Sequence, residues 1–264
     1  MLGDYLTSTE KPEFKVNPTK GQFGRLFDGG YSMGGASDGK YLYLAQNMSG
    51  NSSTRVLKVD PASDYKVLAT SKTFETGITG TKDNSRMFIK GDKLYCFVND
   101  GDIRSIKLSE IKDGFNLTKD ESLPFSKVIE SNTIIDAEYN NATKRYAALN
   151  SKGLHLVNED GSIFKTIDTS KDTNLGLNQH VSSITSDEKY IYVSHLVNDQ
   201  KEVLIKAYTW DGEFIKSCAP SGIALEKPGY NTQAIFLHNG VFYAALCTWS
   251  NTAGYYLWSI SFGN

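Results

Sequence analysis

Apolar and polar residues alternate over short runs along the whole chain, and Gly, Asn and Asp punctuate the runs. A period near two over such lengths predicts β-strands. The one segment with a trace of helical character is Ser109–Gly114. Aligning the runs exposes a repeat. Tyr43, Tyr95, Tyr146, Tyr192 and Tyr243 follow one another at intervals of 52, 51, 46 and 51 residues. The residue after each Tyr is apolar or small (Leu44, Cys96, Ala147, Val193, Ala244), and the residue before it is apolar in four of five cases, Arg145 being the exception. A strand apolar on both faces belongs inside a sheet covered on each side.

Each Tyr strand is followed by a second run: Arg55–Val59, Ile103–Leu108, Gly153–Val157, Val203–Tyr208 and Tyr255–Ile260. Asp38-Gly39, Asp100-Gly101, Asp160-Gly161, Asp211-Gly212 and Asn239-Gly240 supply the tight turns that hairpins need. A third run precedes the Tyr strand in most units (Met87–Ile89, Ile134–Ala137, Ala234–Phe236), and a fourth closes the unit (Tyr65–Ala69, Ser162–Ile167). Five four-stranded antiparallel meanders of near-equal length predict an all-β fold, a five-bladed β-propeller. A sandwich accounts for the hairpins but not for the regular spacing of the Tyr strands.

The reading places one propeller domain over residues 1–264, with blades near 30–74, 82–130, 131–169, 178–219 and 229–264. The last blade runs out at Phe262-Gly263-Asn264 after three strands, leaving an open edge. Residues 1–28 are therefore expected to form an N-terminal arm that supplies the closing strand, from Glu13–Val16 or from Gln22–Phe27.

Charge narrows the partners. The 28 basic and 30 acidic side chains leave a net charge of −2, and the basic residues are scattered, so no nucleic acid partner is expected. The start of the chain lacks a secretory pattern and no apolar run is long enough to span a bilayer, so the chain reads as soluble, without membrane insertion. Cys96, Cys218 and Cys247 are widely separated and set in apolar runs, as small buried hydrophobes rather than disulfide partners. His155, His180, His195 and His238 never fall at metal-ligand spacing, and no phosphate loop is present, so neither metal nor cofactor is expected.

In a meander, the start of the innermost strand and the end of the second strand lie on one face of the disc. Counted from the repeated Tyr, the entries to the inner strands carry Tyr31, Gln179, His180, Tyr230 and Asn231, while Asn47, Asn99 and Asn150 recur four residues after a Tyr. Asn caps strand ends and tolerates left-handed turns; a ring of amides can also face a polar ligand. With Trp249 in the loop 248–254, these residues form the candidate ligand-binding set, because sugar rings stack on aromatic faces while their hydroxyls bond to amides. Asp136 and Glu138, two apart on an inner strand, point the same way and form the one candidate catalytic pair. Five-bladed propellers include furanosidase-type glycoside hydrolases, a resemblance of architecture.

Two phrases carry a family resemblance. Asp38-Gly39-Lys40-Tyr41-Leu42-Tyr43-Leu44-Ala45-Gln46-Asn47, continued by Thr54–Pro61, and Asp187-Glu188-Lys189-Tyr190-Ile191-Tyr192-Val193-Ser194, continued by Trp210-Asp211-Gly212, resemble the divergent propellers of bacteriophage tail-fibre and receptor-binding proteins. The resemblance implies a non-enzymatic, virion-associated or extracellular module that binds a glycan or a protein receptor, as a homo-oligomer or within a larger assembly. The alternatives are a glycoside hydrolase using Asp136 and Glu138, and a purely structural ring.

Overall fold

The computed structural model describes residues 14–19, 25–48, 53–75, 86–97, 103–124, 129, 134–150, 153–169, 180–197, 202–218, 230–248 and 254–262. Two leading strands, β1 (Phe14–Pro18) and β2 (Arg25–Asp28), precede the first blade. That blade is β3 (Tyr31–Ser37), β4 (Leu42–Asn47), β5 (Ser53–Asp60) and β6 (Lys66–Thr70), with the short β7 (Phe74–Glu75) also on β5. The second is β8 (Met87–Lys90), β9 (Lys93–Phe97), β10 (Ile103–Lys107) and β11 (Thr118–Lys119). The third is β12 (Ile134–Asn140), β13 (Arg145–Asn150), β14 (Gly153–Asn158) and β15 (Ile163–Ile167). The fourth is β16 (His180–Ser186), β17 (Tyr190–Val197), β18 (Glu202–Thr209) and β19 (Phe214–Cys218). The fifth is β20 (Tyr230–His238), β21 (Val241–Thr248) and β22 (Gly254–Phe262).

The innermost strands β3, β8, β12, β16 and β20 touch in that order, and β20 returns to β3, which closes a five-bladed propeller. The last blade is completed from the N-terminal side by both candidate segments. β1 runs antiparallel to β22 over five residue pairs, Phe14↔Phe262 to Pro18↔Trp258, and β2 takes the other half of β22 through Arg25↔Tyr256, Phe27↔Tyr255 and Asp28↔Gly254. Thr19 adds a backbone and a hydroxyl bond to the Leu257 carbonyl. The segment around Ser109–Gly114 holds only a one-turn 3-10 helix, Leu108–Glu110.

Burial follows the sheet geometry. Side chains alternate along each second strand, and each of the five blade interfaces has its own apolar cluster. Tyr43, Tyr95, Tyr192 and Tyr243 all face the following blade, buried among its residues. Tyr146 departs from the pattern: it packs with Phe88 and Tyr95 of the preceding blade, while Ala147 faces forward. The cause is the 140–145 turn of the third blade, two residues longer than its counterparts: Ala147 takes the place of the repeated Tyr, and Tyr146 falls one position earlier, on the opposite face of the strand. Arg145 before Tyr146 was the visible sign in the sequence.

The repeated tyrosines also brace the turns. Tyr43 Oη donates to Asp38 at 2.8 Å and Tyr192 Oη to Asp187 at 2.7 Å, while the other carboxylate oxygen of each Asp accepts two backbone N–H groups of its own turn. The Asp-x-Lys-Tyr-x-Tyr phrase is therefore a turn-and-strand clamp. Among the cysteines, Cys96 is fully buried in apolar surroundings that push its thiol up to about 12; Cys218 and Cys247 lie on β19 and β21.

β3 passes so close to the fifth blade that a Cβ on Gly35 would stand 2.5 Å from the Phe236 ring. Gly35→Ala is expected to destabilise the fold by about 1–3 kcal/mol through overpacking, measured by denaturant unfolding. Deleting residues 1–28 removes both partners of β22. The thermal midpoint is expected to fall by about 10 °C or more, since each ladder bond contributes about 1 kcal/mol net; an unchanged midpoint in calorimetry would refute closure by this arm.

Candidate functional site

An inner strand has no ladder partner on the side of the channel, so its N–H groups need other acceptors. The sequence answers with short polar side chains after a bulge. Four inner strands slip register at the same place, between Ser32 and Gly34, Ile134 and Asp136, Val181 and Ser183, and Thr232 and Ala234. The first residue after the slip reaches the next blade: Asp136 Oδ2 accepts Ile184 N–H at 2.9 Å, and Ser183 Oγ accepts Ile235 N–H at 2.8 Å. Two residues on, Thr185 Oγ1 accepts Leu237 N–H at 2.9 Å.

Asp136 therefore does in the third blade what Ser183 does in the fourth. It is 3% exposed, and its second oxygen accepts Ala137 N–H at 3.0 Å. Burial pushes it up to about 7 from the ordinary 3.8, against the pull of the Arg86 guanidinium and the two backbone donors. Arg86 is itself buried and donates to the Met33 carbonyl, tying the second blade to the first.

The next outward position forms a ring with one residue per blade: Ala36, Phe88, Glu138, Thr185 and Phe236, each paired with the same point of its second strand. All five line a cavity of about 450 Å³ at the mouth of the central channel. The turns leaving the inner strands complete its wall, including Ser37, Asp38, Asn141, Ser186, Asp187 and Glu188. Phe88 and Phe236 are held flat against Tyr95 and Tyr243, with centroids 5.0 Å and 5.6 Å apart. Glu138 is the one ionisable member of the ring. Burial, with repulsion from Asp136, raises its pKa well above 4.5, while Ser186, donating at 3.4 Å, and Thr185 oppose the shift.

The candidate residues read from the sequence fall elsewhere. The cavity opens where the inner strands end, whereas the amide-rich set was read at their starts. Tyr31, His180, Tyr230 and Asn231 are placed by their backbones at the first turns of β3, β16 and β20, beside the ends of the second strands. Asn99, Gln179 and Trp249 lie outside the described residues. Asn47 and Asn150 are 7% and 3% exposed, and they are not equivalent: Asn47 pairs with Tyr31 before the bulge, whereas the register of Asn150 matches Gln46. The Asn150 amide oxygen is bonded to His155 Nε2 at 3.0 Å inside the blade. Tyr146 stands one position out of step with the other repeated tyrosines, so counting from it breaks the apparent ring of amides. Of the catalytic pair, Glu138 reaches the cavity and Asp136 is absorbed by the inter-blade bond. The Ser37, Asp38 and Asp187 wall was missed, although the repeated Asp-x-Lys-Tyr-x-Tyr phrase marks two of its turns.

Among the described residues no group of three or more His, Cys, Asp or Glu side chains could hold a metal ion, and no helix is long and apolar enough to cross a membrane. No protein-family model matches the chain, and no curated protein sequence matches it. Solved structures do. The tail fibre of Staphylococcus aureus phage P68 is similar over 97% of this chain and 54% of its own, with a TM-score of 0.57 at 10% identity. The chain thus spans about half the length of that tail fibre. The glutaminyl cyclase of Myxococcus xanthus is similar over 96% of this chain and 98% of its own, with a TM-score of 0.57 at 9% identity. At these identities the likeness is one of fold.

A carboxyl group whose pKa rises on folding keeps its proton in the native state after the unfolded chain has lost it, so its contribution to stability declines as pH rises above the unfolded value. Glu138 acts in this sense above about pH 4.5. His195, which burial lowers to about 3, acts in the opposite sense below 6.5, so the carboxyl must be isolated by difference. The thermal midpoint of the native protein minus that of Glu138→Gln is expected to fall steadily from pH 5 to pH 8; a pH-independent difference would show that Glu138 is ionised throughout.

Proposed function

We propose that the protein is a binding module for a surface glycan or protein partner, with the ligand seated in the channel mouth. One observation carries this reading: a polar-walled cavity of about 450 Å³ to which all five blades contribute, within the size range of small-ligand sites. Its walls present hydroxyl, amide and carboxyl groups from fixed turns, which suits a hydroxylated ligand better than an apolar one. The fold shared with the phage P68 tail fibre supports placing the module among receptor-binding components of a phage tail.

A hydrolase built on Asp136 and Glu138 finds less support. Glycoside cleavage needs two carboxyl groups free to act on the substrate, and both oxygens of Asp136 accept backbone N–H groups.

Binding on a glycan array, followed by titration calorimetry on the hits, tests the reading. Asn141 is exposed at the rim, so Asn141→Trp should obstruct the mouth without disturbing the fold and weaken binding by about tenfold or more. Trp249→Ala should leave affinity unchanged. The reverse result, with Asn141→Trp silent and Trp249→Ala inactive, moves the site away from the channel mouth to the amide-rich set read from the sequence, and release of cleaved glycan would establish a hydrolase.

A further inference from the structure

We infer that the channel mouth takes its glycan through a protonated amine, so that the preferred ligand is an amino sugar with a free amino group. The inference rests on the binding reading above and names its ligand class. Asp38, Glu138, Asp187 and Glu188 all line the cavity, and among the described residues no Lys, Arg or His does. Two lysines close to the wall in sequence are engaged elsewhere: Lys40 Nζ lies 4.8 Å from the Tyr41 ring, and Lys90 is bonded to Tyr146 Oη and paired with Glu159 at 3.3 Å. A cavity whose charged wall residues are all acidic concentrates positive charge.

The spacing of those acids selects the kind of cation. They share one cavity, yet among the described residues no three His, Cys, Asp or Glu side chains could hold a metal ion. Asp38 and Asp187 cannot swing together, because each is pinned by a tyrosine hydroxyl and its own turn. Fixed, separated acceptors fit a ligand that spreads its donors over a ring. Ser37, Thr185 and Asn141 add hydrogen-bonding groups between them, as a pyranose bearing hydroxyls and one ammonium requires.

Glu138 is the group that responds. Asp136 lies two residues away on its own strand; Thr185, Ser186, Asp187 and Glu188 face it from the fourth blade, Arg86 and Lys90 belong to the second, and Asp38 and His238 stand on the first and fifth. In the empty site, burial and Asp136 hold its proton on. An ammonium arriving at the mouth stabilises the ionised form, so the carboxyl O–H breaks, its proton passes to the buffer and the ammonium keeps its own.

Titration calorimetry at about pH 6 in two buffers of different ionisation heat tests this, with the glucosamine tetrasaccharide and its fully N-acetylated counterpart as probes. The free amine should bind about tenfold or more tightly than the acetylated form, release protons on binding, and lose its advantage with rising NaCl. Glu138→Gln should abolish the proton release and most of the preference. Equal or tighter binding of the acetylated probe, or amine binding without proton release in the native protein, overturns the inference. If neither probe binds while the array finds a neutral glycan that Asn141→Trp excludes, the amine inference falls and the binding reading stands; a silent array removes the amine inference together with the glycan half of that reading.

Discussion

The inner edge of each blade is the constraint on which the molecule is built. Five strands meet around an axis with no ladder partner on that side, and a buried N–H without an acceptor costs about 1–3 kcal/mol. Asp136, Ser183 and Thr185 meet this demand by reaching into the next blade, and Arg86 and Tyr255 do the corresponding work on the carbonyls of Met33 and Gly34. These bonds set the spacing of the blades. The close approach leaves no room for a side chain at Gly35 on β3, where the Phe236 ring of the fifth blade fills the space.

Because the inner edge is satisfied in this way, the larger apolar surfaces can specialise. Each blade interface is a separate apolar cluster, and the outer regions add specific links such as Arg145 to the Trp210 carbonyl and to Asp211, or Asn239 to the Gly39 carbonyl. The last of these joins the fifth blade to the first, where the chain must also complete β22 with two separate N-terminal strands. Closure is thus distributed over the channel, the interface and the sheet edge.

Much of this was legible in the sequence, and the boundary is physical. The Tyr strands, Asp-Gly and Asn-Gly turns and a last unit one strand short depend on local period and turn chemistry, and they announced five blades with an N-terminal closure. Phase did not come through. Tyr146 shares its residue type with Tyr95 and Tyr192 but not its direction, because the turn before it is longer, and Asn150 inherits the same error. The cavity ring was harder still: Ala36, Phe88, Glu138, Thr185 and Phe236 share a place in the fold and no chemistry, so no alignment of letters groups them. Asp136 and Glu138 were found as a pair, yet the register gives one to the scaffold and leaves the other at the cavity.

That ring also bears on how such a protein can diversify. Its five positions sit one step beyond the strand segment that holds the blades together, and each is encoded in a different repeat. A substitution at one of them changes a single letter of what the mouth presents while most of the scaffold's bonds are made by other residues. Descendants of one ancestor can thus vary the chemistry at the mouth through a handful of codons, each altered independently, long before the wheel itself shows any trace of the change.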